Sequence, residues 1–352
     1  MKKTLFFVLL GWASLCLFPE SLLKLNLKKQ FTLGDKDIFF QSIASVYEDK
    51  RENVLVLDQK AYKVYKFSTS GKRLIAFGDR GLGPGCFVNP HKIYVTTGGN
   101  IVVNEIRDFV STFDENGKFL NRVKLPKGLD LIFLNSNLFY AWVWTPEGKQ
   151  QVLIDKNGKI LKTFFSVSRD KFSINAPDKT GRLVMFNYFT EEYTPSLLSH
   201  QYKDHAAIGV TDKYEILLID KNGKILNKIS RDVSPGIISG EEKEYFKRKI
   251  TGSNKLPDFA KKKFLKKIPK YKNYFSNIVV SESLLWVFRI KEDVTRRDSF
   301  IPVDLFTFDM KFKGTLKIER IPYFISPKTI YFVDTNSEDD LLLVKYSYSL
   351  NL

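Results

Sequence analysis

The three histidines of the chain are its clearest candidates for metal binding or proton transfer. They are His91, His200 and His205. A catalytic zinc ion usually takes three protein ligands, and a structural zinc ion takes four. His200 and His205 stand close together in a polar stretch that we predict to be one loop, so three imidazoles are not expected to converge. The sequence therefore predicts no metal site and no cofactor, although calcium or zinc in a central channel stays open as an alternative.

A second group of polar side chains follows the apolar run 101–103. It comprises Asn104, Arg107 and Asp108. We predict that they lie in a loop, where side chains held by a rigid scaffold often contact ligands. Together with His91, these three residues are our candidate ligand-binding residues.

Sequence motifs of several enzyme classes are missing from the chain. It contains no Gly-x-Ser-x-Gly nucleophile elbow, no Gly-x-x-x-x-Gly-Lys-Ser/Thr phosphate loop and no Cys-x-x-Cys pair. Adjacent acids such as Asp339 and Asp340 point to opposite sides of a strand, so they form no acid–base pair. These observations favour a binding protein over an enzyme.

Positive charge is concentrated in one segment. The formal net charge is +17, and residues 241–272 carry twelve Lys or Arg against four Asp or Glu. Ala260, Phe264 and Ile268 recur at the spacing of one helix face. The opposite, basic face carries Lys261, Lys262, Lys263, Lys266 and Lys267. Such a face can bind an anionic glycan, an envelope surface or a membrane, or it can simply be solvated. It lacks interleaved stacking aromatics, so no nucleic-acid partner is expected.

A recurring turn indicates the strands that position these residues. In four places a β-rich stretch runs into Asn-Gly or Ser-Gly and a second alternating stretch follows, a pattern typical of hairpins. These copies end at Gly71, Gly117, Gly158 and Gly223, and a fainter copy spans 308–314. The spacing of the first three copies is close to the length of one four-stranded propeller blade.

One full repeat carries a family resemblance. Gly81-Leu82-Gly83-Pro84-Gly85-Cys86-Phe87-Val88-Asn89-Pro90 leads into a strand, a glycine turn, a second strand and the hairpin at Gly117, an order that resembles an NHL-type repeat. Leu284-Leu285-Trp286-Val287 is similar to a segment of the six-bladed propeller family of bacterial exported proteins. The resemblance implies that the region around Arg107 mostly braces adjacent blades.

We therefore predict an all-β fold, a six-bladed β-propeller over residues 20–352 with a short helical insertion between blades four and five. The predicted blades span about 36–78, 86–126, 128–167, 172–231, 274–319 and 321–352. A capping box at Ser239 and Glu242 predicts a helix over 241–250, and a second helix is predicted over 257–268, within an insertion at about 239–269. His91, at the start of an inner strand, is the histidine expected to face the central funnel.

The alternating segments 23–27 and 30–33 are predicted to add a strand to the last blade. Such a strand would close the ring, so that no open sheet edge is left between its two ends. The added strand would be the outermost strand of the last blade, and its pairing would stabilise the ring.

The first residues have the pattern of an export signal. Met1-Lys2-Lys3 precedes an apolar run from Leu5 to Phe18, which is short for a membrane span. We predict that residues 1–18 are a signal peptide or an uncleaved N-terminal anchor, with lipidation at Cys16 as a further alternative. The protein is then exported to the periplasm or the extracellular space.

The sequence is compatible with three functions. The favoured one is a non-enzymatic exported propeller that binds a protein, peptide or glycan through one face. The first alternative is a lactonase-like, metal-dependent hydrolase or lyase with its site in the central channel, and the second is a structural envelope component. Fold alone does not decide among them.

Overall fold

The structure of the protein is a computed structural model. It describes residues 23–34, 38–105, 109–124, 131–133, 137–168, 174–177, 183–186, 193–203, 205–253, 256–281, 284–296 and 299–351. The predicted signal or anchor at 1–18 lies outside these residues. Within them, no helix is both long enough and apolar enough to span a bilayer.

The strands form six four-stranded antiparallel sheets arranged as the blades of a propeller, which confirms the predicted fold class. The chain begins with β1 (Lys24–Leu33). Blade 1 consists of β2 (Ile43–Glu48), β3 (Val54–Asp58), β4 (Lys63–Phe67) and β5 (Arg73–Phe77). Blade 2 consists of β6 (Pro90–Val95), β7 (Ile101–Glu105), β8 (Phe109–Phe113) and β9 (Phe119–Lys124). Blade 3 consists of β10 (Leu131–Phe133), β11 (Leu138–Trp144), β12 (Gly148–Asp155) and β13 (Ile160–Ser168).

A separate two-stranded sheet follows blade 3, formed by β14 (Ile174–Pro177) and β15 (Leu183–Phe186). Blade 4 consists of β16 (Leu197–Tyr202), β17 (His205–Val210), β18 (Glu215–Asp220) and β19 (Ile225–Ser230). The predicted fourth blade, 172–231, was therefore too wide, because residues 174–177 and 183–186 pair with each other in a separate sheet before the blade begins.

The helical insertion follows blade 4, as predicted, with α1 (Gly240–Thr251) and α2 (Asp258–Lys266). Blade 5 then consists of β20 (Phe275–Val280), β21 (Leu284–Arg289), β22 (Ile301–Thr307) and β23 (Phe312–Ile318). Blade 6 contains β24 (Phe324–Ile325), β25 (Thr329–Thr335) and β26 (Leu341–Asn351), and β1 is its fourth strand.

The pairing of β1 with β26 closes the ring and confirms the predicted closure. The two strands are antiparallel from the Lys24–Asn351 pair to the Leu33–Leu343 pair, with one irregularity near Phe31. Leu33, the last residue of β1, is buried and belongs to the main apolar cluster. The last blade is thus built from both ends of the folded chain.

The first strand of each blade is the innermost one. Around the ring, β24 contacts β2, β2 contacts β6, β10 contacts β16, and β20 contacts both β16 and β24. The loop after each first strand and the turn after each third strand lie on one face of the disc, which we call the hairpin face; loop 49–53 is an example. The opposite connector face carries the remaining loops, including segment 231–274, which holds the helical insertion.

Three of the four recurring turns are held by an aspartate and a glycine, and in the first turn Ser68 takes the place of the aspartate. Asp114 Oδ1 accepts hydrogen bonds from the backbone N–H groups of Asn116 (2.9 Å) and Lys118 (2.8 Å), and Gly117 has φ = +81°. The same contacts recur at Asp155 and Asp220. An aspartate that satisfies two backbone donors and a glycine in the left-handed region together fix a tight hairpin.

The fifth hairpin departs from this pattern. Its turn is Thr307–Lys311, in which the hydroxyl of Thr307 takes the place of the aspartate and Met310 takes the left-handed position with φ = +70°. Gly314, the glycine of the fainter sequence copy, lies within β23. The hairpin was predicted, but its turn residue was not.

Gly117 also marks a tight blade-to-blade contact, and this leads to a prediction. A Cβ at Gly117 would lie 2.5 Å from a ring carbon of Phe77 in blade 1, whereas Gly99 has φ = +89° with no atom within 4 Å of its Cβ position. We expect Gly117→Ala to lower the free energy of unfolding by about 3 kcal/mol, from backbone strain and overpacking. Gly99→Ala should cost about 1 kcal/mol, from strain alone. Urea unfolding of the two variants measures the difference, and equal losses would contradict the packing argument.

Candidate ligand site at the mouth of the channel

The central channel is lined by the inner strands. A cavity of about 150 Å³ in it is bordered by residues of blades 1, 2, 4 and 6. Its polar lining comprises Ser45, Tyr47, His91, Lys92, Tyr94, His200, Gln201 and Tyr323. His91 therefore borders the central funnel, as predicted.

His200 also borders this cavity, which the sequence did not predict. The expected loop holding His200 and His205 is wrong, because they lie on the paired strands β16 and β17. His200 Nδ1 accepts a hydrogen bond from the backbone N–H of Val280 at 3.1 Å. Burial, assisted by the positive charge of Lys92, lowers the pKa of His200 to about 3. The imidazole is therefore neutral at physiological pH, with its remaining proton on Nε2.

Two channel histidines do not make a metal site. In the part of the chain that the structure describes, no three His, Cys, Asp or Glu side chains are grouped so that they could hold a metal ion. His200 can instead provide a neutral imidazole for hydrogen bonding to a polar group in the channel, and His91 borders the same cavity.

A larger cavity lies at the hairpin-face mouth of the channel. It has a volume of about 320 Å³, and we call it the mouth cavity. Its lining comes from loops of four blades: Tyr47–Glu52 of blade 1, 95–99 and Glu115 of blade 2, Tyr202 and Lys203 of blade 4, and 326–328 of blade 6. Concave sites of this size are typical of small-ligand pockets.

The carboxylates of the mouth cavity are all engaged in ion pairs. Glu48 contacts Lys345 Nζ at 3.2 Å and accepts hydrogen bonds from Thr329 (2.8 Å) and Tyr331. Glu52 contacts Lys328 Nζ at 2.8 Å. Both interactions join blade 1 to blade 6, so they fix the walls of the cavity across a blade boundary.

The wall toward blade 2 is also held by ion pairs, one within blade 1 and one between blades 1 and 2. Asp49 contacts Lys66 Nζ at 3.0 Å, and Glu115 contacts Arg51 at 3.4 Å. Although burial opposes its ionisation, hydrogen bonds from Asn53 and Lys66 hold the pKa of Asp49 below its usual range. Asp49 therefore stays ionised and paired with Lys66 at neutral pH.

Positive charge exceeds negative charge around the mouth cavity. Its four lining carboxylates are Glu48, Asp49, Glu52 and Glu115. Its cations are Lys50, Arg51, Lys203 and Lys328 in the lining, with Lys66 and Lys345 paired behind the wall. With those two lysines counted, six cations surround four carboxylates, and such a cavity attracts an anionic group.

The floor of the mouth cavity is aromatic and polar. Tyr47 borders both cavities and therefore lies between the mouth and the channel, and Tyr202 lies beside it. Burial raises the pKa of Tyr47, so its phenol keeps its proton at neutral pH. Its ring packs on Phe324, with centroids 5.2 Å apart. The protonated phenol of Tyr47, beneath a positive rim, can act as a hydrogen-bond partner for a bound anion.

Of the other predicted site residues that the structure describes, Asn104 does not line the mouth cavity. Asn104 is buried within β7, so the prediction that it lies in a loop is wrong. The predicted loop starts two residues too early, because β7 continues through Asn104 and Glu105. Arg107 and Asp108 lie outside the described residues, and their ligand-binding role stays a prediction.

Glu105 explains why its region is structural. Its carboxylate accepts hydrogen bonds from the backbone of Val88 (2.6 Å) and from Arg122 (2.5 Å). Arg122 also donates to the carbonyl of Leu82 in the connection to blade 1. This buried pair braces the start of blade 2.

One sequence feature marks the mouth cavity, although it was not among the predicted site residues. Residues 48–52 are a run of five charged residues that begins at the last residue of β2 and continues into the loop before β3. Glu52, at the end of this run, has φ = +60°. A run of charges of both signs in so short a loop is compatible with an organised polar binding site as well as with a solvent-exposed turn.

The predicted basic residues all belong to the second helix of the insertion or its end. Lys262, Lys263, Lys266 and Lys267 are exposed, while Lys261 is partly buried and contacts Asp258 at 3.5 Å. Ala260 and Phe264 are buried, as the helical spacing predicted.

Comparison with known proteins gives the fold. A putative exported protein from Bacteroides fragilis matches with a TM-score of 0.56 and 14% identity, over 94% of this chain and 96% of the other. A member of the DUF4221 family from Bacteroides vulgatus matches with a TM-score of 0.52 and 13% identity, over 94% and 99%. These likenesses show the six-bladed arrangement.

Other matches are more distant. A streptogramin B lyase aligns over 92% of this chain and 98% of its own with 11% identity, and its TM-score is 0.42. No protein-family model matches the sequence, and no curated protein matches it.

Proposed function

We propose that the chain is an exported, non-enzymatic binding propeller that takes the carboxylate of a peptide or an acidic glycan in the mouth cavity. The observation that carries the proposal is the cavity itself, with an excess of two positive charges above two tyrosines. Export is supported by the signal-like pattern of residues 1–18.

The walls of the cavity favour binding because they are already organised. Ion pairs tie the blade 1 loop to blade 6 through Glu52 and Lys328, and to blade 2 through Arg51 and Glu115. A site whose side chains are held before the ligand arrives loses less conformational entropy on binding. Each of these carboxylates lies beside a cation, so it repels a bound anion less.

Matched probes test the charge preference. We expect glucuronate to bind more tightly than glucose, and acetyl-glycyl-glycine to bind more tightly than its C-terminal amide, as measured by NMR titration. Replacing Lys50 and Lys203 by Gln together should weaken glucuronate binding roughly tenfold, because two rim charges are removed.

The control variant replaces Lys60 and Lys213, which lie in connector-face loops, by Gln. Both lysines are exposed and lie outside the mouth cavity. The control variant therefore has the same net charge as the Lys50 and Lys203 variant, but its mouth cavity is intact. Equal binding of the neutral and acidic probes, or equal loss in the two double variants, would contradict the proposed site.

A hydrolase or lyase site in the channel is the second candidate function. It is supported by His91 and His200, which border one cavity together with Lys92. Metal analysis of the purified protein separates the two functions: stoichiometric zinc or calcium would contradict a purely binding role. Without metal, binding of glucuronate that leaves the probe chemically unchanged supports the first proposal.

A further inference from the structure

The helical insertion exposes apolar side chains among its lysines. Phe259 is 39% exposed on α2, Tyr271 is 45% exposed just beyond it, and Ile237 is 65% exposed just before α1. Large apolar side chains left in water on a basic segment are typical of surfaces that lie at a membrane interface.

On α2 the aromatic ring and the lysines share one helix face. Lys262, Lys263 and Lys266 follow Phe259 at spacings of three, four and seven residues, which place them on its side of the helix. The opposite face, with Ala260 and Phe264, is buried against the insertion's own apolar cluster. The outer face of α2 therefore presents an aromatic ring surrounded by three cations.

Ile237 and Tyr271 form a second apolar pair on the insertion. They are partners in an antiparallel bridge, so their side chains lie on the same side of it. The flanking residues Ile238 and Lys272 are buried, which means that the bridge turns its other side inward. The ammonium group of Lys270 lies 5.0 Å from the centre of the Tyr271 ring.

The charge of this surface is almost purely positive. Residues 256–272 contain seven lysines and one carboxylate side chain, Asp258. Asp258 contacts Lys261, and Lys272 is buried in an ion pair with Glu242. Five lysines of this segment are exposed: Lys262, Lys263, Lys266, Lys267 and Lys270.

We propose that this surface, formed by Ile237, α2 and residues 267–271, docks on a bilayer that contains anionic lipids. The lysines contact the lipid phosphates, and Phe259, Tyr271 and Ile237 enter the headgroup region. Anionic headgroups supply the complementary charge, and the exposed apolar side chains distinguish a bilayer from a soluble polyanion, which has no apolar layer to receive them.

Vesicle binding of the full chain tests the proposal. We expect the protein to bind phosphatidylcholine vesicles containing phosphatidylglycerol more tightly than pure phosphatidylcholine vesicles. The triple variant K262E/K263E/K266E should lose about 100-fold in affinity for the anionic vesicles. Its control is K72E/K118E/K159E, which changes the net charge equally at exposed hairpin-face positions and should bind as the unchanged protein does.

Local readouts separate this surface from the apolar N-terminal residues. Anionic vesicles should slow hydrogen–deuterium exchange in peptides covering 256–272, and Phe259→Ser should weaken vesicle binding while leaving binding to heparin unchanged. The proposal is overturned if the two triple variants lose equally, or if exchange in 256–272 is unaffected. It is also overturned if Phe259→Ser leaves vesicle binding intact, a result that would assign the surface to a soluble polyanion.

Discussion

A chain that lacks residues 20–34 is expected to unfold about 10 °C below the full chain. The deletion removes β1 and leaves β26 as an open edge, although β26 now pairs with β1 from Asn351 to Leu343. It also removes Leu23 and Leu33, two buried leucines worth about 2 kcal/mol each. Thermal unfolding followed by circular dichroism measures the loss.

A matched control keeps the strand but moves it. In this variant residues 20–34 are deleted from the N-terminal side and attached after residue 352 through a flexible Gly/Ser linker. If pairing with β26 is what stabilises the ring, the relocated strand restores most of the lost thermal stability. An unchanged melting temperature in the simple deletion would refute closure by β1 as a stabilising interaction.

The second large effect is expected at Glu242, which holds the helical insertion to the disc. Its carboxylate contacts Lys272 Nζ at 2.8 Å, and both side chains are almost fully buried. It also accepts hydrogen bonds from the hydroxyl of Tyr193 and the backbone of Val294, both at 3.1 Å. Glu242→Gln leaves a buried ammonium without its counter-charge, so we expect a loss of about 3 kcal/mol in the free energy of unfolding.

The same residue predicts a pH dependence. Burial opposes the ionisation of Glu242, but hydrogen bonds from Lys272, Ser239 and Val294 hold its pKa below the ordinary value of 4.5. A carboxyl group with a lowered folded-state pKa stabilises the protein fully above its ordinary pKa, and this stabilisation is lost as the pH falls through the folded-state value. The difference between the protein and Glu242→Gln should therefore be largest at neutral pH and shrink below about pH 4.

Urea unfolding across this pH range, with limited proteolysis of the insertion, measures both effects. The control is Glu241→Gln, at the neighbouring exposed position in the first turn of α1. It loses only a favourable interaction with the helix dipole, about 0.5 kcal/mol. If both variants showed the same loss, or if the loss at Glu242 did not depend on pH, the buried ion pair would not be what fastens the insertion.

The fold was predictable from the sequence because its information is local. Each Asp-Lys-Asn-Gly turn sets a hairpin through contacts within five residues, as at Asp155 and Asp220. The capping box of α1 is equally local, with Glu242 N–H donating to Ser239 Oγ at 3.1 Å. Turns that replaced glycine by another residue, such as Met310, were harder to place, because the tertiary structure and not the residue's own preference fixes the left-handed conformation.

The mouth cavity was not predictable in the same way. Its walls meet through pairs such as Glu52 and Lys328, which are 276 residues apart in the chain. Nothing in either loop alone indicates that the other lies beside it. His200 was misplaced because the polar run that follows it resembles a loop. In the structure β16 continues to Tyr202, and Lys203, which follows it, has φ = +51°.

The pairing of β1 with β26 also sets an order of events during synthesis. Gln30 in β1 hydrogen-bonds Ser347, a residue made 317 positions later. Until the end of the chain emerges, β1 has no partner within its blade, and contacts of such long range form slowly. Lys24, Lys28 and Lys29 give this waiting strand a charged edge that disfavours pairing with other chains. The nascent protein therefore stays an open arc, and becomes a ring only when its last blade has been made.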